Sequence, residues 1–206
     1  MKLDYEALRR ALAGNAASAP TLPNGFHRAA VCLLLFDGLP VGPAGAETML
    51  LAIQKADTEG YHWRNQIALP GGHVAPQDRS DADTALRELR EELSIDPSDV
   101  TVLGHLGHFQ TGTSRTDLGV TVGLWNVRTA PRGDPREIAR VLEIPLADLL
   151  EAHVADGYRS RPYWEIGDAL TYTPGGQRIW GVTARIFHAF LELLLERVHP
   201  GGGESA

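Results

Sequence analysis

Three carboxylates, Glu88, Glu91 and Glu92, crowd into one short stretch of a predicted helix over 81–93. At about 100° per residue they fall on one face, beside an apolar stripe of Ala82, Leu86, Leu89 and Leu93. Glutamates on a helix usually form a solvated face. Here Glu88 and Glu92 are like charges four residues apart, which costs about 0.2–0.5 kcal/mol, and only Arg87 is placed to pair well, with Glu91. Carboxylates gathered without matching lysines call for a counter-ion, and hard oxygen donors in that number suit Mg²⁺ or Mn²⁺. On this reading, neutralising Glu91 or Glu92 relieves repulsion and does not weaken the fold. Upstream, Gly71-Gly72 permits backbone conformations that aim a carbonyl at a metal or amides at a phosphate. Ser80 is the predicted N-cap, with Asp83 three residues on in a capping-box-like start and Asp81 in the first turn, where the helix dipole favours anions.

Pro70-Gly71-Gly72, followed by Arg87-Glu88-Leu89-Arg90-Glu91-Glu92, resembles the box of the Nudix hydrolases, which here covers residues 71–95. The chain departs from the usual box in three ways. The gap between glycine and arginine is one residue longer, Asp78 stands in for a glutamate, and Ser94 stands in for a glycine. The longer gap, Ile144-Pro145-Leu146 and Ile179-Trp180-Gly181-Val182-Thr183-Ala184 resemble the branch that cleaves coenzyme A, and the likeness spans residues 29–195. That branch's upstream arginine, glycine and aromatic are absent: those places read Tyr61, Asn65 and Leu69.

The resemblance implies an α+β fold, the Nudix α/β/α sandwich, with a mixed β-sheet between helices and the box as loop–helix–loop. It implies an N-terminal helix and linker over 1–27, the hydrolase domain over 28–199 and a disordered tail over 200–206. It makes Glu88, Glu91, Glu92 and the Gly71 carbonyl the metal ligands for Mg²⁺ or Mn²⁺, with Arg87 holding the glutamates. Glu137 is the expected further carboxylate, ahead of Asp117 and Glu143, with starting a helix as its plainer role and stabilising the loop as that of Asp78. Arg64 and Arg115 are the candidate phosphate contacts, while Arg161 is a weaker one. The implied reaction is hydrolysis of a pyrophosphate bond in a small-molecule nucleotide, coenzyme A or its thioesters. ADP-ribose, NADH or a nucleoside triphosphate, or a ligand-sensing module without catalysis, are the alternatives. A homodimer is in keeping with the family.

The elements that must position these groups follow from the apolar pattern. Strands are predicted at 29–36, 48–53, 67–69, 100–109 and 120–127, and helices at 3–13, 81–93, 146–152 and 181–198. A hairpin is predicted from 163–166 and 170–172 across Gly167-Asp168. Strands and helices mix without βαβ alternation. Among 206 residues, 43% are apolar and 22% charged, enough for an ordinary core. The net charge of −7 gives no electrostatic footprint for nucleic acid, so metal ions must neutralise any phosphate. Cys32 is the sole cysteine, which excludes an intrachain disulfide, and it is expected in the core. No apolar run reaches membrane length and the N-terminus carries no signal-peptide pattern, so a cytoplasmic location is expected. Eight histidines include no His-Glu-x-x-His pair, and His105 and His108, three apart in a regular strand, are expected on opposite faces. Trp63, Trp125, Tyr158 and Trp164 are candidates for stacking on a base, with the core as the commoner fate of such rings.

Overall fold

Residues 29–36 are buried without a break, and they form the heart of strand β1 (His27–Asp37) in the computed structural model, which describes residues 1–15, 22, 25–39, 46–59, 63–111 and 114–198. A strand buried on both faces needs helices above and below it. Ala30, Cys32, Leu34 and Phe36 face helix α2 (Asp81–Leu93), whose Ala85, Leu89 and Leu93 pack onto them. Val31, Leu33 and Leu35 face the other way, toward α1 (Tyr5–Leu12), α3 (Leu146–Ala155) and α5 (Gly181–Leu193). The result is the expected α/β/α sandwich with a short N-terminal helix.

Among the described residues seven strands make one mixed sheet: β1, β2 (Thr48–Lys55), β3 (Ile67–Ala68), β4 (Gly71–His73), β5 (Val100–Gln110), β6 (Thr116–Trp125) and β7 (Ile138–Pro145). The main path is β3-β2-β1-β6-β5, with β4 added to β1 and β7 to β2. β1 and β6 run parallel, His27 opposite Thr116, and the other pairs are antiparallel. Among the described residues no helix is long and apolar enough to cross a membrane.

Several expectations need correction. The box glycines lie on β4, a short strand paired with β1, rather than in a loop. β7 is a full strand in a region where no strand is predicted. The expected hairpin does not form: residues 163–166 are helix α4 (Tyr163–Ile166), Gly167–Ala169 is a 3-10 turn, and Tyr172 bridges instead to Ile179. The buried stripe of α2 is rotated, with Ala85, Leu89 and Leu93 inside and Ala82 and Leu86 half-buried. The tail 200–206 and residues 16–21 and 23–24 of the expected N-terminal linker lie outside the described residues.

The ends of α2 behave as their residues dictate. Ser80 Oγ accepts from the Asp83 amide at 3.1 Å. At the C-terminus Ser94 is left-handed, φ 57° and ψ 29°, and its amide closes the helix on the Leu89 and Arg90 carbonyls. A Cβ makes that conformation costly, so Ser94→Gly is expected to stabilise the protein by about 1 kcal/mol, read from denaturant midpoints. A fall in midpoint would contradict it.

Candidate functional site

The box is assembled where β4 passes under α2. Gly71 has φ 153°, and a Cβ there would sit 2.3 Å from the Ala30 carbonyl, so only glycine lets β4 close on β1. A Cβ on Gly72 would lie 2.5 Å from the Glu88 carboxylate, so that carboxylate rests directly on the glycine backbone. Glu92, 8% exposed, accepts the Gly71 amide at 2.9 Å on Oε2 and the Lys55 ammonium at 2.6 Å on Oε1.

Arg87 is the hub. Its Nη1 donates to Glu88 at 2.7 Å and Glu91 at 2.9 Å, and its Nη2 to Asp78 at 3.0 Å and the His73 carbonyl at 2.9 Å. Asp78 also accepts from the Ala75 amide and the Thr84 hydroxyl, both at 2.9 Å, which is the loop-stabilising role expected of it. The Arg87 guanidinium holds the Asp78 carboxyl at about 2, with the Ala75 and Thr84 donors adding to its pull against the effect of burial. The pairing with Asp78 in turn pushes Arg87 above the usual guanidinium range. Glu88 goes the other way: burial raises its pKa more than Arg87 lowers it, and Glu92 and Glu91 add like-charge repulsion.

One sequence expectation changes here. Glu92 does have a matching lysine, supplied by Lys55 at the end of β2 and thus invisible to helix spacing. Arg87 pairs with Glu88 and Glu91, and with Asp78 besides. The donor set fits a hard divalent ion: the side chains offer oxygens only, two cations neutralise them, and the half-buried Glu88 carboxylate is under-compensated.

A cavity of about 270 Å³ opens beside the box. Gly71, Gly72 and Lys55 form one wall, Trp63 and Ser114 contribute from the loops, and Val182 and Thr183 come from the start of α5. Thr183 Oγ1 donates to the Ile67 carbonyl at 3.3 Å, which ties that helix to β3.

The other candidates are dispersed around this centre. Glu137 is exposed, and its carbonyl accepts the Ala56 amide at 2.8 Å, next to Lys55. Arg64, 58% exposed, follows Trp63 and stands 3.8 Å from Asp57. Arg115 is exposed between the cavity-lining Ser114 and Thr116. Arg161 donates instead to the Gly157 carbonyl, within its own turn. Glu143 is paired with Arg128. Asp117 is buried and turned to His108 at 2.7 Å. Trp125 lies in the core against Phe36, and Tyr158 is buried with its hydroxyl on the Ala169 carbonyl, while Trp164 is exposed on α4. Trp63 is therefore the stacking candidate that meets the cavity. Cys32 is core as expected, its thiol pushed up to about 12 by burial. Tyr61 lies outside the described residues.

His105 and His108 do not point to opposite faces. Register shifts between Val102 and Gly104 and between His105 and Gly107 insert extra residues, so both rings face α2 with centroids 4.9 Å apart. Gly104 and Gly107 inside the strand were the available signal, since glycine in a strand marks a bulge.

Comparison with known proteins agrees with the box. A NUDIX domain model matches residues 25–164. The chain is 32% identical over 157 residues to "Uncharacterized Nudix hydrolase NudL" of Photorhabdus laumondii, covering 73% of this chain and 79% of that one. It is 36% identical over 152 residues to the protein of the same name from Yersinia enterocolitica, covering 68% and 71%. With "Nudix hydrolase 22, chloroplastic" of Arabidopsis thaliana it shares 29% identity over 167 residues, covering 77% of this chain and 52% of that one. With the family match spanning the whole of the described sheet and all of its box helix, this chain belongs to the Nudix hydrolases, a family of pyrophosphohydrolases.

Proposed function

We propose that this enzyme hydrolyses the pyrophosphate of coenzyme A or its thioesters, releasing 4′-phosphopantetheine species and 3′,5′-ADP. The observation that carries the reading is the cavity, where the box glycines meet Val182 and Thr183 of the stretch that resembles the coenzyme A branch. Glu88, Glu91, Glu92 and the Gly71 carbonyl would hold Mg²⁺ or Mn²⁺. A bound divalent ion supplies charge neutralisation on the phosphates and a lowered pKa for the attacking water.

The remaining work falls to side chains. Arg87 keeps Glu88 and Glu91 aimed, because its Nη1 donates to both carboxylates at once. Lys55 lines the cavity and can shift its charge from Glu92 to a substrate phosphate. Trp63 offers a flat face for the adenine. Glu137 or a box glutamate accepts the proton of the attacking water. In-line attack then needs positioning and electrostatics, and no side-chain nucleophile.

Coenzyme A carries a 3′-phosphate, and Arg64 and Arg115 flank the cavity with exposed guanidinium groups. A charge-assisted contact of this kind is worth about 1.5–3 kcal/mol, or roughly ten- to a hundredfold in affinity. The expected result is a kcat/KM for coenzyme A at least about tenfold above that for dephospho-coenzyme A, lost on chelation and restored by Mg²⁺ or Mn²⁺. Products resolved by chromatography check it. Equal efficiency on the two removes the 3′-phosphate contact. Asn65 and Leu69, standing where the coenzyme A branch has other residues, favour the second reading, hydrolysis of ADP-ribose or a related nucleoside diphosphate, and a preference for ADP-ribose would establish it.

A further inference from the structure

We infer that Asp81, His105 and His108 form a second metal site, for a divalent transition ion such as Zn²⁺, at the first turn of α2. Asp81 precedes Glu88 by seven residues, which places this site about 10 Å along the helix from the box glutamates. One ligand atom from each residue lies within 4.8 Å of the others. Asp81 and His105 are buried, 7% and 8% exposed, and His108 is half-buried.

The unmet valences carry the argument. Asp81 Oδ2, His105 Nε2 and His108 Nε2 are buried atoms without a hydrogen-bond partner. Buried polar atoms are costly to leave unpaired, and here three converge. The other ends of Asp81 and His108 are engaged. Arg28 donates to Asp81 Oδ1 at 2.8 Å, and Asp117 Oδ2 lies 2.7 Å from His108 Nδ1. With Nδ1–H donating to Asp117, a His108 ring that carries no second proton would turn its Nε2 lone pair toward Asp81 Oδ2, 3.4 Å away. Two lone pairs facing each other need a cation between them. A carboxylate behind the remote ring nitrogen is also how metal-bound histidines are commonly oriented.

Distance and donor type point to the same ion. Two ligands about 2.05 Å from a tetrahedral centre are roughly 3.3 Å apart, close to the Asp81–His108 separation. Two imidazoles with one carboxylate suit zinc or a related first-row ion better than magnesium. Space has been cleared for the cluster: a Cβ on Gly119 would lie 2.1 Å from Asp81 Oδ2. A proton on His108, shared between Asp81 and Asp117, is the competing explanation. It leaves His105 Nε2 unpaired, whereas a metal ion satisfies all three atoms.

The test is a Co²⁺ titration of the chelator-stripped full chain, followed by visible absorption. Cobalt in a four-coordinate nitrogen–oxygen site absorbs far more strongly than in an all-oxygen octahedral one. The expected result is a strong band saturating at one equivalent and removed by added Zn²⁺. It should persist in Glu91→Gln and weaken at least tenfold in affinity in His105→Ala and His108→Gln. Absence of the band in the wild-type chain, which needs no variant to fold, overturns the site. So does a band untouched by both histidine changes, or one lost in Glu91→Gln alone.

Discussion

Glu92→Gln is expected to lower kcat by about 10²–10³-fold at saturating Mg²⁺, since it removes a full charge from the proposed metal site with almost no change of shape. The same change should also weaken the fold, contrary to what like-charge repulsion on the helix suggests. Glu92 accepts from Lys55 on one oxygen and from the Gly71 amide on the other. A glutamine must turn its NH₂ toward one of these donors, and Lys55, 13% exposed, loses its counter-charge. Leaving such a group unsatisfied costs about 1–3 kcal/mol. Glu91, 58% exposed, carries no such burden, so Glu91→Gln should lose turnover with little change in melting temperature. Near-native turnover of Glu92→Gln would make that carboxylate a purely structural partner of Lys55.

The second large effect is on acid stability. Asp78 has a folded pKa of about 2 against an ordinary 3.8, because Arg87 stabilises its ionised form. A depressed carboxyl pKa stabilises the folded state fully above the unfolded value and is lost as pH falls through the folded one. The contribution is about 2 kcal/mol, present above roughly pH 4 and gone near pH 2. Asp78 is only 4% exposed, so solvent screens little of it. Asp78→Asn is therefore expected to lose about 2 kcal/mol near neutral pH and to show a flatter stability profile between pH 4 and pH 2. Denaturant midpoints across that range measure it. An unchanged slope would mean that Asp78 does not titrate with folding.

How far the sequence could be read depends on how local each feature is. Strand β1 was legible because continuous burial writes itself as an unbroken apolar run, and α2 because its cap, charges and apolar spacing all lie within one helix. β7 was not, because exposed Arg140 interrupts the two-residue spacing of its buried positions, Ile138, Leu142 and Ile144, and its pairing with β2 is irregular at Gln54 and Lys55. The rotation of the α2 stripe comes from glycines on other elements. Gly72 receives Glu88 and Gly119 receives Asp81, so polar groups approach the sheet where an apolar face was expected. The Lys55–Glu92 pair joins residues 37 apart, and the His105–His108 pair depends on a bulge, so neither is written in side-chain periodicity.

The parallel pairing of β1 with β6 sets an order of events during synthesis. β1 ends at Asp37 and its partner β6 at Trp125, a gap of 125 − 37 = 88 residues. At about 5–20 residues per second, one edge of the most apolar strand in the protein waits roughly 4–18 s for its neighbour. Until then β1 can pair with β2 and β4 alone, and its other edge is open to any passing chain. The nascent protein should depend on chaperones most sharply in that interval, and slowing translation between residues 37 and 125 should raise the aggregated fraction more than slowing it afterwards.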